Sequence, residues 1–214
     1  MPIPVPKIID TLILDRKKTT MPEPDESSTS PASATKQAVF AGGCFWCTEM
    51  AFEQLAGVSD VASGYIGGSP ETANYEAVCT GRTGHAEAIR ITYDPAVMTY
   101  QTLLDVFFTA HDPTTLNRQG NDIGTQYRSA IFTSDEAELA AARTTIARLD
   151  ASGTLPSRIV TTLEPLTEFY PAEDYHQDYA RAHPNQSYIM HVSTPKACKV
   201  RNYFPKLIRR EYLP

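Results

Sequence analysis

The apolar positions change character near residue 36. Up to there they keep no sustained period, and "MPEPDESSTSPASATK" holds almost none. From Gln37 onward they fall into blocks separated by glycine and proline. "AVFAG" is a short apolar run that predicts a buried strand, and Gly42-Gly43 turns the chain into a helix from about Cys44 to Leu55. "VSDVASGYIGG" reads as a strand ending in a glycine turn. "HAEAIRITY" alternates with period two, so His85, Glu87, Ile89, Ile91 and Tyr93 share one face. "TYQTLLDVFFTAH" is an amphipathic helix with Leu103, Leu104, Phe107 and Phe108 on its stripe, and "YRSAIF" is a strand. Thr133 and Glu136 have the spacing of a capping box for a helix reaching about Ala151. "RIVTTL" predicts a last strand, and helical stretches follow near 172–182 and 196–209. Irregular segments are too many for a doubly wound fold. The pattern predicts an α/β protein in the broad sense: one α+β domain over 37–214, a mixed sheet flanked by helices and long irregular loops.

Composition separates the first 36 residues from the rest. They hold six of the 16 prolines, and too little apolar surface to offset the entropy of ordering, which predicts a disordered Pro/Ser/Thr-rich tail. The tail's charges cancel, so the net −6 belongs to 37–214. That sign argues against a nucleic-acid partner bound through its phosphates. No run of 18 apolar residues is present, so no membrane-spanning helix is expected. "IIDTLIL" is too short and too broken by Asp10 for a secretory signal, which predicts a cytoplasmic protein. In that reducing setting, a close pair among only four cysteines is read as catalytic or metal-binding.

The pair is Cys44 and Cys47, in "AGGCFWCTE". A zinc site would need a second ligand pair, whereas Cys79 and Cys198 stand alone. An inert pair of small buried side chains is a second reading. A reactive thiol is the third: Cys44 falls at the first turn of the predicted helix, where free N–H groups favour a thiolate, and Cys47 lies one turn on as a resolving partner. A thioredoxin-type oxidoreductase would share this layout, in a shorter chain with different flanks.

Three further segments carry chemistry. Glu87 sits on the core face of its strand, where desolvation would raise its pKa and suit it to general acid work; a buried ion pair with an Arg is the alternative. "HDPTTLNRQGNDIGTQYRS" is a longer polar loop than a connection requires, with Asp112, Asn117, Asp122, Gln126 and Tyr127. "TANYEAV" presents Tyr75. The basic run from Lys196 onward is read as a solvated helix face.

Together, "GGCFWCTE", "GYIGG", "NYEAVCTG", "GHAEAIRITYDP", "HDPTTLNRQGNDIGTQYRSAIF" and "AEDYHQDY" resemble the peptide methionine sulfoxide reductases of the A class, in unbroken order from about Ala38 to Phe204. The resemblance implies that Cys44 attacks the sulfoxide sulfur, that Glu87 protonates its oxygen, that Tyr75 and Tyr127 hydrogen-bond that oxygen, and that Asp122 is a polar partner in the same pocket. Phe45 and Trp46 would hold the methyl group. A second thiol then condenses with the Cys44 sulfenic acid, and thioredoxin reduces the disulfide. The implied substrates are the S sulfoxide of free methionine and of oxidised proteins, with no metal or organic cofactor, no nucleic acid and no membrane, and the protein is read as a monomer. Many members carry Gly in place of Cys47 and a resolving cysteine after an "NPNGYC"-like stretch; here that region reads "HPNQSYIMHV". Cys47 is therefore the expected resolving thiol, with Cys198 as the alternative, and Cys79 is expected to be a packed small residue.

Overall fold

A computed structural model describes residues 34–213. The tail expected over 1–36 lies, through residue 33, outside the described residues.

β1 (Lys36–Gly42) is the apolar run read from the sequence, buried on both faces from Ala38 on. It pairs antiparallel with β3 (Ala86–Tyr93) on one side and with β6 (Ser129–Phe132) on the other. Beyond β3 lie β2 (Val58–Ile66) and β8 (Phe169–Pro171), both antiparallel neighbours; beyond β6 lies β7 (Thr162–Glu164), the one parallel pairing of this sheet. The order β7-β6-β1-β3-β2-β8 is a mixed sheet, as the pattern predicted.

One face of that sheet carries Phe40, Ile89, Ile91 and Ile131 into the main core. Covering them are α1 (Phe45–Glu53) and α3 (Tyr100–Ala110), the latter burying Leu103, Leu104, Val106, Phe107 and Phe108. Each such side chain contributes about 1.5–3 kcal/mol on leaving water. The other face is thinner: Val39, Ala41, Ile66, Ala86, Ala88, Ala130 and Phe132. α4 (Glu136–Ala151) packs beside α3 and is tied to it by the Arg148–Asp105 ion pair at 2.9 Å.

Several boundaries differ from the sequence reading, each for a local reason. Asp135, not Thr133, caps α4, its carboxylate accepting the Glu138 N–H at 2.9 Å; Thr133 Oγ1 donates to the Glu138 side chain instead. "RIVTTL" forms a strand only from Thr162, where β6 offers a ladder. The helix expected over 172–182 is broken into a 3₁₀ turn at Asp174–His176 and α5 (Tyr179–Ala182). Gln177 breaks it by spending its amide on backbone, accepting from Ser63 N and donating to Ser63 O and Ala172 O, all within 3.0 Å. Asp178 follows in the left-handed region at φ 54°. The last helix, α6 (Thr194–Tyr203), starts and ends earlier than expected, out of a π-helical turn at Ile189–Ser193. Its basic side chains are not all solvated: Lys196 Nζ and Arg201 Nε are buried, and Arg209 donates to the Leu55 and Val58 carbonyls beyond the end of α1.

Candidate active site

Every sequence-predicted site residue except Cys47 lines one cavity of about 220 Å³: Cys44, Phe45, Trp46, Tyr75, Glu87, Asp122 and Tyr127. Gln186 and Tyr188 complete it. These residues come from six separate stretches of chain, and the fold explains how each arrives.

Cys44 is the N-cap of α1 with extended backbone, and its carbonyl receives the N–H groups of Cys47 and Thr48. Gly43 makes the approach possible: its φ is +92°, and a Cβ there would stand 2.6 Å from Gln119. Gln119 in turn clamps the polar loop, accepting from Asp112 N and donating to Asp112 O. Within the loop, β4 (Arg118–Gln119) and β5 (Asp122–Ile123) form a small hairpin that presents Asp122. Tyr127 closes the 3₁₀ turn Thr125–Tyr127. Thr125 Oγ1 and Gln126 Nε2 donate to Gly81 O and Cys79 O, binding this turn to the end of α2 (Tyr75–Cys79), which carries Tyr75. The long loop is thus a structured arm of the site.

Glu87 projects from β3 beneath α1. It is 2% exposed, and its Oε2 accepts the Phe45 N–H at 3.0 Å. Burial pushes its pKa up to about 8, the Phe45 N–H works against this, and the charges of Asp122 and Cys47 push further upward. A carboxyl that keeps its proton near neutrality can act as an acid. No arginine pairs with it among its hydrogen bonds and ion pairs in the described residues. Burial also raises Tyr75 and Tyr127 above the ordinary phenol value, so both remain donors.

The two thiols divide unequally. Burial, then the Cys47 sulfur, hold Cys44 well above the ordinary thiol value, with the Glu87 charge adding to this. The hydrogen bond from Cys44 pulls Cys47 down to about 6 against burial, assisted by the Lys196 charge and by Ser193. The expected helix-end thiolate on Cys44 is therefore opposed by desolvation, and the pair's charge rests on Cys47. Cys47 lies behind the cavity, its Sγ 3.1 Å from Ser193 Oγ.

The aromatic wall is braced from behind. Trp46 stacks on Tyr179 with centroids 4.0 Å apart and 12° between planes. His176, 2% exposed and held neutral by burial, packs against Phe45, Trp46 and Tyr75. Glu173 accepts from Tyr65 OH and from Tyr75 N, both at 2.9 Å, which fixes the start of α2. "AEDYHQDY" is therefore the bracket of the site.

Tyr188 and Gln186, in "HPNQSYIMHV", have no local signature in the sequence. Tyr188 OH donates to Asp122 Oδ2 at 2.5 Å, orienting that carboxylate. Cys198 is half-buried in α6 and does not line the cavity. Cys79 is exposed at the end of α2, contrary to the expectation of a packed residue. Among the described residues, no group of three or more His, Cys, Asp or Glu is placed to hold a metal ion, and no helix is long and apolar enough to cross a membrane.

Comparison with known proteins agrees with this geometry. Residues 36–207 match the family model of peptide methionine sulfoxide reductase. The chain is 49% identical over 185 residues to the peptide methionine sulfoxide reductase MsrA of Deinococcus radiodurans, covering 86% of this chain and 90% of that one. Among solved structures, Mxr1 from Saccharomyces cerevisiae in reduced form superposes with a TM-score of 0.67 at 36% identity, over 74% of this chain and 90% of that one. Methionine sulfoxide reductase A of Corynebacterium diphtheriae gives 0.62 at 37% identity, over 70% and 76%.

Proposed function

Because the chain belongs to the peptide methionine sulfoxide reductase family, we propose that its pocket reduces the S epimer of methionine sulfoxide, free or in oxidised proteins, and that thioredoxin restores the enzyme. The observation that carries the reading is the convergence of a thiol at a helix N-terminus, a protonated buried carboxyl and two phenols on one small cavity walled by Phe45 and Trp46. A dithiol oxidoreductase needs the first of these and not the rest.

The substrate methyl group packs on Phe45 and Trp46, and its oxygen lies among Tyr75, Tyr127 and Glu87. Glu87 gives its proton to that oxygen as Cys44 attacks the sulfur. The Cys44 S–S bond to substrate forms as the S–O bond breaks, the oxygen leaving as water with the Glu87 proton and the Cys44 thiol proton. A water then attacks Cys44 Sγ and gives a proton to solvent. The S–S electron pair leaves with the substrate sulfur as methionine, and Cys44 is left as a sulfenic acid. Asp122, held by Tyr188, is the polar neighbour in the same pocket. Cys47 then condenses with Cys44, and thioredoxin reduces the disulfide.

The reading extends to a catalytic unit over 37–214, working as a monomer in the cytoplasm. The test is reduction of each sulfoxide epimer of a methionine derivative, with dithiothreitol and then with thioredoxin. Wild type consumes only the S epimer and Cys44→Ser consumes neither. Equal inactivity of wild type and Cys44→Ser on the S epimer overturns the reading.

A further inference from the structure

Ser193 is fully buried, and its Oγ lies 3.1 Å from Cys47 Sγ across 146 residues of sequence. Tyr188 OH is the other hydroxyl near that sulfur, at 3.8 Å. A phenol has one proton to donate, and Tyr188 gives its own to Asp122 at 2.5 Å. Ser193 is therefore the hydroxyl whose proton is available to Cys47. A separation of 3.1 Å suits a charge-assisted bond from O–H to a sulfur anion. One helical turn further, Lys196 Nζ is buried without a hydrogen-bond partner among the described residues, and its charge acts on Cys47. An ammonium held out of water without a partner is costly unless an anion lies near.

We propose that Ser193, supported by Lys196, is a positioning residue that holds Cys47 as a thiolate for the step in which it closes on the Cys44 sulfenic acid. This rests on the reading of Cys47 as the resolving thiol. In that step the Cys47 sulfur anion attacks Cys44 Sγ, the S–S bond forms and the S–O bond breaks. The hydroxide leaves as water with a proton from solvent. Cys47 is oxidised by one unit and the Cys44 sulfur reduced by one, so no outside oxidant is required. Sulfur attack proceeds through the anion, so the rate follows the fraction ionised. The groups facing Cys47 are Cys44 from the start of its own helix, Glu87 from β3, Tyr188 just before the π-helical turn and Ser193 at its end, and Lys196 from α6.

The experiment gives the reduced full chain one equivalent of S sulfoxide without reductant, and follows loss of the sulfenic acid and closure of the disulfide against pH. Wild-type closure rises with pH as Cys47 ionises, with a midpoint below that of an ordinary thiol. Ser193→Ala shifts the midpoint upward, slowing closure by up to about ten-fold near neutral pH and not at all where both proteins are fully ionised. Ser193→Thr restores the wild-type midpoint, and Lys196→Met shifts it in the same direction as Ser193→Ala. The quantity of methionine released reports whether each variant is folded. A uniform slowing of Ser193→Ala at every pH, or an unmoved midpoint in both Ser193→Ala and Lys196→Met, overturns the proposal. Cys47→Ser separates the two layers. Closure that persists in Cys47→Ser removes Cys47 as the resolving thiol. Closure lost there, with an unmoved Ser193→Ala midpoint, removes only the role of Ser193.

Discussion

Replacing Glu87 by Gln changes activity and stability in opposite directions. The amide oxygen still accepts the Phe45 N–H that Oε2 accepts at 3.0 Å, and the volume is unchanged, so the cavity keeps its shape. What disappears is the proton. Loss of a positioned general acid costs about 10²–10⁴-fold in the chemical step, so single-turnover methionine release should fall by at least about 100-fold. Stability moves the other way. The folded pKa of about 8 exceeds the unfolded 4.5, so the folded state holds the Glu87 proton more tightly. That contribution is fully present below 4.5 and is lost as pH rises to about 8, at about 1.4 kcal/mol per unit. Gln does not titrate. Between about pH 5 and about pH 7, wild type therefore loses about 3 kcal/mol relative to Glu87→Gln. Glu49 and Glu53, also raised by burial to about 7 and about 8, titrate in both proteins and cancel in the comparison. Urea unfolding of both proteins under reducing conditions at the two pH values measures the gap. A gap that does not widen toward neutrality refutes the argument from burial, and a variant within ten-fold of wild type refutes the acid.

Wild-type sulfoxide reduction in a single turnover should decline as pH rises through about 8, where Glu87 gives up its proton, and Glu87→Gln should lack that limb of the profile. Cys47→Ser should keep turnover with dithiothreitol and lose it with thioredoxin; unchanged thioredoxin turnover would move the resolving role to Cys198. Trp46→Ala removes both the wall of the cavity and the stack on Tyr179, and should raise KM by at least about ten-fold, equivalent to about 1.4 kcal/mol, which steady-state kinetics would show. Gln177→Ala leaves the Ser63 N–H without its acceptor, while Ser63 O keeps the Ala172 N–H, and should cost about 1–3 kcal/mol in chemical denaturation, with its effect on activity following the fraction folded.

The strands and the two long helices were legible because their apolar spacing is local, as in the Leu103, Leu104, Phe107, Phe108 stripe. Cys44 and Glu87 could be singled out by position alone: one at a helix start after two glycines, the other on an apolar strand face. Tyr188 and Ser193 could not. Their roles arise from contacts more than 60 residues away in sequence, to Asp122 and Cys47, and a hydroxyl near the chain's end has no local signature. The break at Gln177 was hidden for the same reason, since its amide answers to β2 rather than to its own helix. The thiol charge was misplaced because a helix end is visible in sequence and the desolvation around Cys44 is not.

The first turn of α1 sets an order of events. Cys44 caps it, and Glu87 already takes the Phe45 N–H, so the same end of one helix serves both groups. Such an end offers about half a unit of positive charge, enough to favour one anion and poorly matched to two. While Glu87 is neutral, the seat is open to the negative charge that Cys44 carries as its thiol proton departs ahead of the attack. Once the proton has moved to the sulfoxide, the new carboxylate inherits the seat, and Cys44, now bound to the substrate sulfur, no longer needs it. The two acids take turns, and the turnstile resets only when Glu87 recaptures a proton from water. Reprotonation of a buried carboxyl thereby becomes a clock for the enzyme, separate from the thiol chemistry and readable as a solvent isotope effect on the second turnover.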